Sequence, residues 1–436
     1  MSATTIGLWG LMIFFGLLVI RMPVSFAMAL IGLAGFSYMT SFSAGLSMAA
    51  TEIYNAFSSY SLSVITMFVL MGYLAFHSGL GTSLYVFAYK MIGHWPGGLA
   101  VANQIACAIF GAVCGSNTAT AATMGAIALP EMKKFGYDDA LSTASLAAGG
   151  VLGVLIPPSV IFIVYGMNAE QSIGKLFMAG IIPGIILMLL YIGAIVIITS
   201  RNPSLGPKGP KASWNERLSA LKNGLGETLV VFVISIGGLF LGWFTPTEAG
   251  AVGAGGVLLV SALTKRMDFN KLKASLLDTT KTTAMIMLII AGAVVFGRFM
   301  TVSRIPSTLA SWTASLPLPP IAIMGVIIII YLILGCFIDS LAMVLLTVPI
   351  FLPVVVDTLG YDPIWFGVIV VLVVAMGVIT PPVGMNVYII KGIAKEVPLE
   401  TIFNGIWPFL ICVIICIAIL IIFPSIALFL PNLLIE

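Results

Sequence analysis

The sequence predicts an all-α polytopic membrane protein: an inverted-topology repeat with two re-entrant helical hairpins and two helices broken at Pro-Pro. Three observations predict it. First, 60% of the 436 residues are hydrophobic and 8% are charged, with a mean hydropathy of +1.16. Such a chain cannot cover a soluble surface. Apolar runs of about 17 residues or more recur from end to end, as a hydrocarbon core roughly 30 Å thick requires, and the short alternating segments of a β-barrel are absent. Second, one unusual segment occurs twice. Leu129-Pro130, Gly136-Tyr137-Asp138, Gly153 and Pro157-Pro158 are answered by Leu352-Pro353, Gly360-Tyr361-Asp362, Gly377 and Pro381-Pro382. The glycine before the tyrosine precedes the first proline of the pair by 21 residues in both copies. Third, each Pro-Pro lies inside an apolar stretch long enough to span. Proline there removes a backbone donor and breaks the helix, and lipid tolerates the break only where protein or a watery cavity covers the freed groups.

From the N-terminus onward, Met1–Ile20 lacks a basic n-region and a small-residue cleavage site, so it reads as a first membrane helix and not as a removed signal. Cations then fall in alternate loops: Arg21, Lys90, Lys133-Lys134, a cluster from Arg201 to Lys222, another from Lys265 to Lys281, and Lys391 with Lys395. The positive-inside rule places these in the cytoplasm and leaves Lys175, Arg298 and Arg304 outside. Both termini, including Glu436, then lie in the periplasm. The first repeat segment carries Lys133-Lys134, whereas the second carries Val354-Val355-Val356-Asp357 and no cation, so the two copies face opposite sides. The repeat extends outward: Gly111 and Ser116 lie 224 residues before Gly335 and Ser340, and Pro23…Gly32 shares its spacing with Pro246…Gly255. The polar stretch Arg201–Gly226 is the one linker, too short for a soluble domain. The chain divides into a first repeat (1–200), a cytoplasmic linker (201–226) and a second repeat (227–436).

The five cysteines sit in apolar runs with no paired spacing and read as small buried hydrophobes. His77 and His94 flank membrane segments and carry no metal-ligand spacing. Thr82–Ile92 and Ser307–Ser315 are amphipathic and suit helices along the membrane surface, one on each side. Thr245-Pro246-Thr247-Glu248 opens a helix with ordinary capping chemistry, or else holds Glu248 paired within the membrane. Tryptophans near run ends read as interfacial anchors.

Ahead of each Leu-Pro comes a run too short and too rich in small residues for an ordinary span. Gly111 to Thr120 would enter, turn at Gly115-Ser116-Asn117-Thr118 and return by Pro130. Gly335 to Ser340 would do the same and return by Pro353. Asp339 is an ionisable group at membrane depth, a functional candidate by position. Paired with the Pro-Pro breaks, these tips bring hydroxyls, an amide and unwound carbonyls together, which are ligands for Na⁺ at the broken helices of secondary transporters. Two Na⁺ sites are expected. One uses Ser116 and Asn117 with carbonyls around Gly153, Leu155 and Pro158. The other uses Asp339 or Ser340 with carbonyls around Gly377, Thr380 and Met385. Helix N-termini at the tips would present positive dipole ends to an anionic substrate. Ser116, Asn117, Ser159, Asp339 and Asn386 are the candidate substrate contacts, with Arg298 and Arg304 as candidate carboxylate partners. The competing reading of the small-residue runs is a tight helix-packing interface. No Walker motif, HExxH or GxSxG occurs, which argues against an ATPase and against those hydrolases. No enzymatic activity and no nucleic-acid partner is expected.

The Gly115-Ser116-Asn117-Thr118 tip, Ile156-Pro157-Pro158-Ser159…Tyr165-Gly166, Thr245-Pro246-Thr247-Glu248-Ala249 and Thr380-Pro381-Pro382 together resemble the large membrane subunit (DctM type) of TRAP transporters, the tripartite ATP-independent periplasmic transporters. The resemblance covers essentially the whole chain. It implies Na⁺-driven uptake, across the bacterial inner membrane, of an organic acid such as sialic acid or a C4-dicarboxylate. It implies a periplasmic substrate-binding protein and a small four-helix membrane subunit as partners, the latter expected as a separate chain. It also implies elevator motion of hairpins and broken helices against a scaffold. Proton coupling through Asp339, and a non-transporting membrane assembly or channel, stay open beside it.

Overall fold

The computed structural model describes residues 2–221 and 225–434, and it is helical without a strand among them. Lys222 and Glu436, placed above by charge and by alternation, lie outside the described residues. The first half runs α1 (Ala3–Val19), α2 (Val24–Met39), α3 (Phe42–Ser58), α4 (Ser63–His77), α5 (Leu80–Ile92), α6 (Gly98–Cys114), α7 (Asn117–Lys134), α8 (Asp139–Leu155), α9 (Val160–Asn168) and α10 (Ile173–Arg201). A short linker helix follows, α11 (Trp214–Ala220). The second half runs α12 (Gly226–Phe232), α13 (Gly238–Phe240), α14 (Pro246–Leu263), α15 (Phe269–Val302), α16 (Ile305–Ser315), α17 (Pro320–Gly335), α18 (Ser340–Pro353), α19 (Pro363–Gly377), α20 (Met385–Ile393), α21 (Leu399–Ile422) and α22 (Ser425–Leu434).

Shifted by the 224 residues that separate Ser116 from Ser340, α5 to α10 fall onto α16 to α21 and α2 falls onto α14. The 34-residue α15 takes the register of α3 and α4 together. Six helices among the described residues are long and apolar enough to cross a membrane, and the α8–α9 pair, bent by 44°, makes a seventh.

The repeated Gly-Tyr-Asp has a local cause. Gly136 and Gly360 adopt φ of 71° and 73°, a conformation that suits glycine after a helix. Asp138 and Asp362 then cap the next helices, accepting from Leu141 N at 2.9 Å and from Ile364 N at 2.7 Å. The helices they start are the axes of the molecule. Every residue from Leu141 to Leu155 in α8 and from Ile364 to Gly377 in α19 is buried. Helices apolar all round belong in the interior.

The hairpins α6–α7 and α17–α18 have their bases at opposite ends of the molecule. The break after α8 abuts the first tip, where Val160 N donates to Gly115 O at 3.4 Å, so α9 runs on beyond that tip. There Tyr165 Oη donates to Pro363 O at 2.6 Å, at the base of the second hairpin. In the other direction, Lys133 at the base of the first hairpin pairs with Glu396 just past α20, at 2.8 Å. Two small-residue crossings flank the hairpins. A Cβ on Gly32 of α2 would sit 2.6 Å from Phe296 N of α15, and one on Gly250 of α14 would sit 2.8 Å from Met67 of α4. Close backbone approach of this kind is how membrane helices associate.

The structure adds detail to the sequence reading in three places. Helix α7 does not stop at Pro130 but continues to Lys134, and α18 carries Pro349 and Pro353 before widening into a π-turn over Val354–Thr358. A proline costs one ladder bond, and a wider turn absorbs the misfit, while Leu129 and Met132 keep that part of α7 buried. The amphipathic helix α5 buries Leu80, Leu84 and Tyr85 and packs along the first hairpin. The linker is laced to the base of that hairpin: Gly97 N donates to Gly206 O, Asp138 N to Leu205 O and Gly209 N to Gly93 O, at 2.8–3.0 Å. As read from sequence, all five cysteines are buried and free. Glu248 closes a capping box with Thr245 and is exposed, so capping accounts for it.

Candidate functional site

Each tip is a two-helix turn closed by a cap. At the first, Gly115 takes φ 65° and Ser116 Oγ accepts from Ala119 N at 3.3 Å, starting α7. At the second, Asp339 Oδ1 accepts from Leu341 N at 3.0 Å, starting α18. Sequence reasoning saw Asp339 as an acid without a partner; helix capping supplies one. The breaks are built alike. Ser159 Oγ accepts from Phe162 N at 3.3 Å and starts α9, while Gly384 at φ 55° starts α20. The Pro157–Pro158 and Pro381–Pro382 peptides are both cis.

Tips and breaks meet at matched glycines. A Cβ on Gly111 would lie 2.5 Å from Gly153 Cα, and one on Gly377 would lie 2.9 Å from Gly335 Cα. Only hydrogen fits between these backbones.

A cavity of about 600 Å³ opens between the tips and a wall formed by α4 and α15. Ser116 to Ala119, Asp339 to Leu341, Val160, Ile161 and Met385 line it, so the N-terminal turns of α7, α18, α9 and α20 all converge there. The charged lining residues are Asp278 and Asp339, and no lysine or arginine joins them among the described residues. Four helix N-termini therefore face a cavity without a cationic side chain among the described residues, and one of them, that of α18, already carries the Asp339 carboxylate as its cap. Behind the first tip, Asn117 Nδ2 and Thr120 Oγ1 are buried without a partner, and so is Asn386 Oδ1.

Of the expected site residues, Ser116, Asn117, Asp339, Ser340 and Met385 line the cavity. Gly153 packs directly behind the first tip, where its Cβ position lies 2.9 Å from Ser116 O. Pro158 O faces Gly115, 2.7 Å from its Cβ position. The Leu155 carbonyl instead faces Gly180 of α10, 2.6 Å from its Cβ position. Gly377 abuts Gly335, and Thr380 Oγ1 donates to Met376 O at 2.7 Å within the second break. Ser159 and Asn386 are fully buried. Asn386 reaches across the repeat and donates to Ala147 O of α8 at 3.1 Å. Arg298 is held by Glu52 at 2.6 Å and Arg304 is exposed at the start of α16, and neither lines the cavity.

The cavity wall escaped the sequence reading. Tyr73 Oη lies 2.8 Å from Thr282 Oγ1, and His77 Nε2 lies 3.0 Å from Asp278 Oδ2, joining α4 to α15. The available signal was the polar run Asp278 to Thr283 inside a helix that then turns apolar. A second cavity of about 270 Å³ is lined by Glu52, Asn55, Ser59, Asn168 and Leu345 among others.

The sequence matches the family described as "Tripartite ATP-independent periplasmic transporter, DctM component" over residues 11–426. It is 37% identical to the C4-dicarboxylate TRAP transporter large permease protein DctM of Pseudomonas aeruginosa, over 88% of this chain and 89% of that one. It is 34% identical to the sialic acid TRAP transporter large permease protein SiaM of Vibrio cholerae, over 96% of each chain. The fold is similar to the crystal structure of the Alcanivorax borkumensis YdaH transporter, with a TM-score of 0.63 over 88% of this chain and 90% of that one, at 14% identity. Matched over nearly its whole length, the chain belongs to the DctM component family of tripartite ATP-independent periplasmic transporters.

Proposed function

We propose that this chain is the large membrane subunit of a secondary transporter that takes up an organic acid with Na⁺ across the inner membrane, with both termini periplasmic. One observation carries the reading: four helix N-termini converge on one cavity that has no cationic lining among the described residues. Helix ends receive a carboxylate through backbone N–H groups, and the unwound carbonyls beside them suit a hard cation. Ser116 and Asn117 with carbonyls around Gly153 and Pro158 hold one Na⁺, without the Leu155 carbonyl, which is turned to α10. Asp339 or Ser340 with carbonyls around Gly377, Thr380 and Met385 hold the other. The substrate carboxylate meets Ser116 and Asn117 at the first tip.

The carboxylate class follows from relatives named for C4-dicarboxylates and for sialic acid. A periplasmic binding protein delivers the substrate, and a small four-helix membrane subunit completes the assembly. The two repeats, 1–200 and 227–436, contribute hairpins and broken helices to a body that moves as an elevator against the α4–α15 wall. Proton coupling is the second reading, because Asp339 is an acid in the cavity lining.

Proteoliposomes holding both membrane subunits, supplied with the binding protein and a panel of labelled organic acids, test the proposal. Accumulation is expected with an inward Na⁺ gradient and not with a proton gradient alone. Full uptake without Na⁺ on either side overturns Na⁺ coupling, and gradient-independent leak overturns the transporter reading.

A further inference from the structure

We propose that the linker helix α11 and the loop before it bind the phosphate of an anionic phospholipid, fastening the base of the first hairpin to the membrane surface. The helix presents one apolar stripe. Trp214, Leu218 and Leu221 recur at helical spacing and are 78%, 54% and 39% exposed. A soluble linker gains nothing from such a stripe, whereas an interfacial helix uses it to enter the acyl boundary.

Beside the stripe stands Arg217, its guanidinium carbon 5.3 Å from the centre of the Trp214 ring. Its Nε and Nη2 are buried and have no hydrogen-bond partner among the described residues. Buried unpaired donors are costly, and a planar guanidinium fork matches a phosphate oxygen pair. The neighbouring acid does not serve. Glu216 is taken by Ser213 N at 2.8 Å in the capping box and by Lys90 Nζ at 3.0 Å. With Glu216 engaged, Arg217 and the exposed Lys208 and Lys211 leave this corner positive, which complements an anionic leaflet. A free phosphate shares the headgroup chemistry but has no use for the stripe.

The attachment reaches the hairpin through backbone bonds already described: Gly206 and Gly209 bind Gly97 and Gly93. The lipid site therefore bears on the base of α6 and not on the cavity.

The test uses the full-length protein purified in mild detergent. Phosphatidylglycerol and phosphatidylcholine of equal chain length are added, and bound lipid is counted by native mass spectrometry alongside thermal unfolding. The wild type is expected to keep one phosphatidylglycerol through delipidation, to unfold at a higher temperature with it, and to show neither effect with phosphatidylcholine. Arg217→Gln should lose that lipid and bind phosphatidylglycerol about tenfold more weakly, as loss of a charge-assisted fork implies. The exposed pair Lys208→Gln and Lys211→Gln leaves the packing untouched and should also weaken retention, so the proposal stays testable if Arg217→Gln fails to fold. Equal retention of the two lipids, wild-type phosphatidylglycerol binding in these variants, or equal stabilisation by inorganic phosphate would each overturn it.

Discussion

Asp339 answers two demands with one side chain. Its carboxylate caps α18 and also lines the cavity, so Asp339→Ala removes a cap and a charge together. Asp339→Asn separates them, because asparagine caps a helix about as well as aspartate. Under the proposed second cation site, Asp339→Asn should insert and assemble normally yet lose about tenfold or more of Na⁺-driven uptake. Asp339→Ala should add roughly 1 kcal/mol of lost capping. Wild-type uptake in the asparagine variant would make the residue a cap and nothing more. Gly111 offers a purely steric counterpart. A Cβ there meets Gly153 Cα at 2.5 Å, and overpacking of this kind costs about 1–3 kcal/mol or more. Gly111→Val should therefore lower the unfolding temperature and reduce uptake, whereas Gly193→Val, whose Cβ position is open, should change neither. Equal behaviour of the two variants would refute a tight crossing.

At the scale of elements, the linker carries a titrating contact. Hydrogen bonding from Ser213 N, and then from Lys90, holds the Glu216 carboxyl below the ordinary range. A depressed acid contributes its stabilisation above the unfolded value and loses it as pH falls through the folded one. The Lys90–Glu216 contact of α11 should therefore be unchanged from pH 8 down to the ordinary glutamate range, about 4.3, and weaken only below it. The fluorescence difference between wild type and Trp214→Phe, followed with pH, checks this; a transition near neutrality would contradict it. The elements also show what the sequence could reveal. Gly136-Tyr137-Asp138 and its repeat were legible because one local motif ends a helix and caps the next. The Pro-Pro breaks were legible because proline acts within its own turn. Tyr137 and Tyr361 show the limit: the first accepts from Leu99 N at 3.1 Å, while the second stacks on Trp365 at 4.6 Å. Identical motif positions acquired different partners, and partners are set by tertiary contact. The same reason hid the α4–α15 wall, whose residues Tyr73 and Asp278 are ordinary until two distant helices meet. It also hid the inward turn of Asn386 to Ala147.

For the whole molecule, the opposed hairpins make a claim about sidedness. Lys133 and Asp357 lie at the two hairpin bases, and the contacts of α9 and α20 place those bases at opposite ends. Single cysteines at these positions, in a background lacking the native five, should react differently in intact cells. An impermeant thiol reagent applied from outside should label position 357 and spare 133. Labelling of both, or of 133 alone, would refute the orientation and the elevator reading with it. The glycine crossings bear on how any such body behaves under load. Where Gly111 meets Gly153 and Gly335 meets Gly377, backbone rests on backbone, with no side chains between to tilt or slide. A joint of that kind resists shear like a rivet. Force applied to a hairpin arm passes directly to its broken helix, so tip and break keep their spacing, and compliance has to come from somewhere else along the chain.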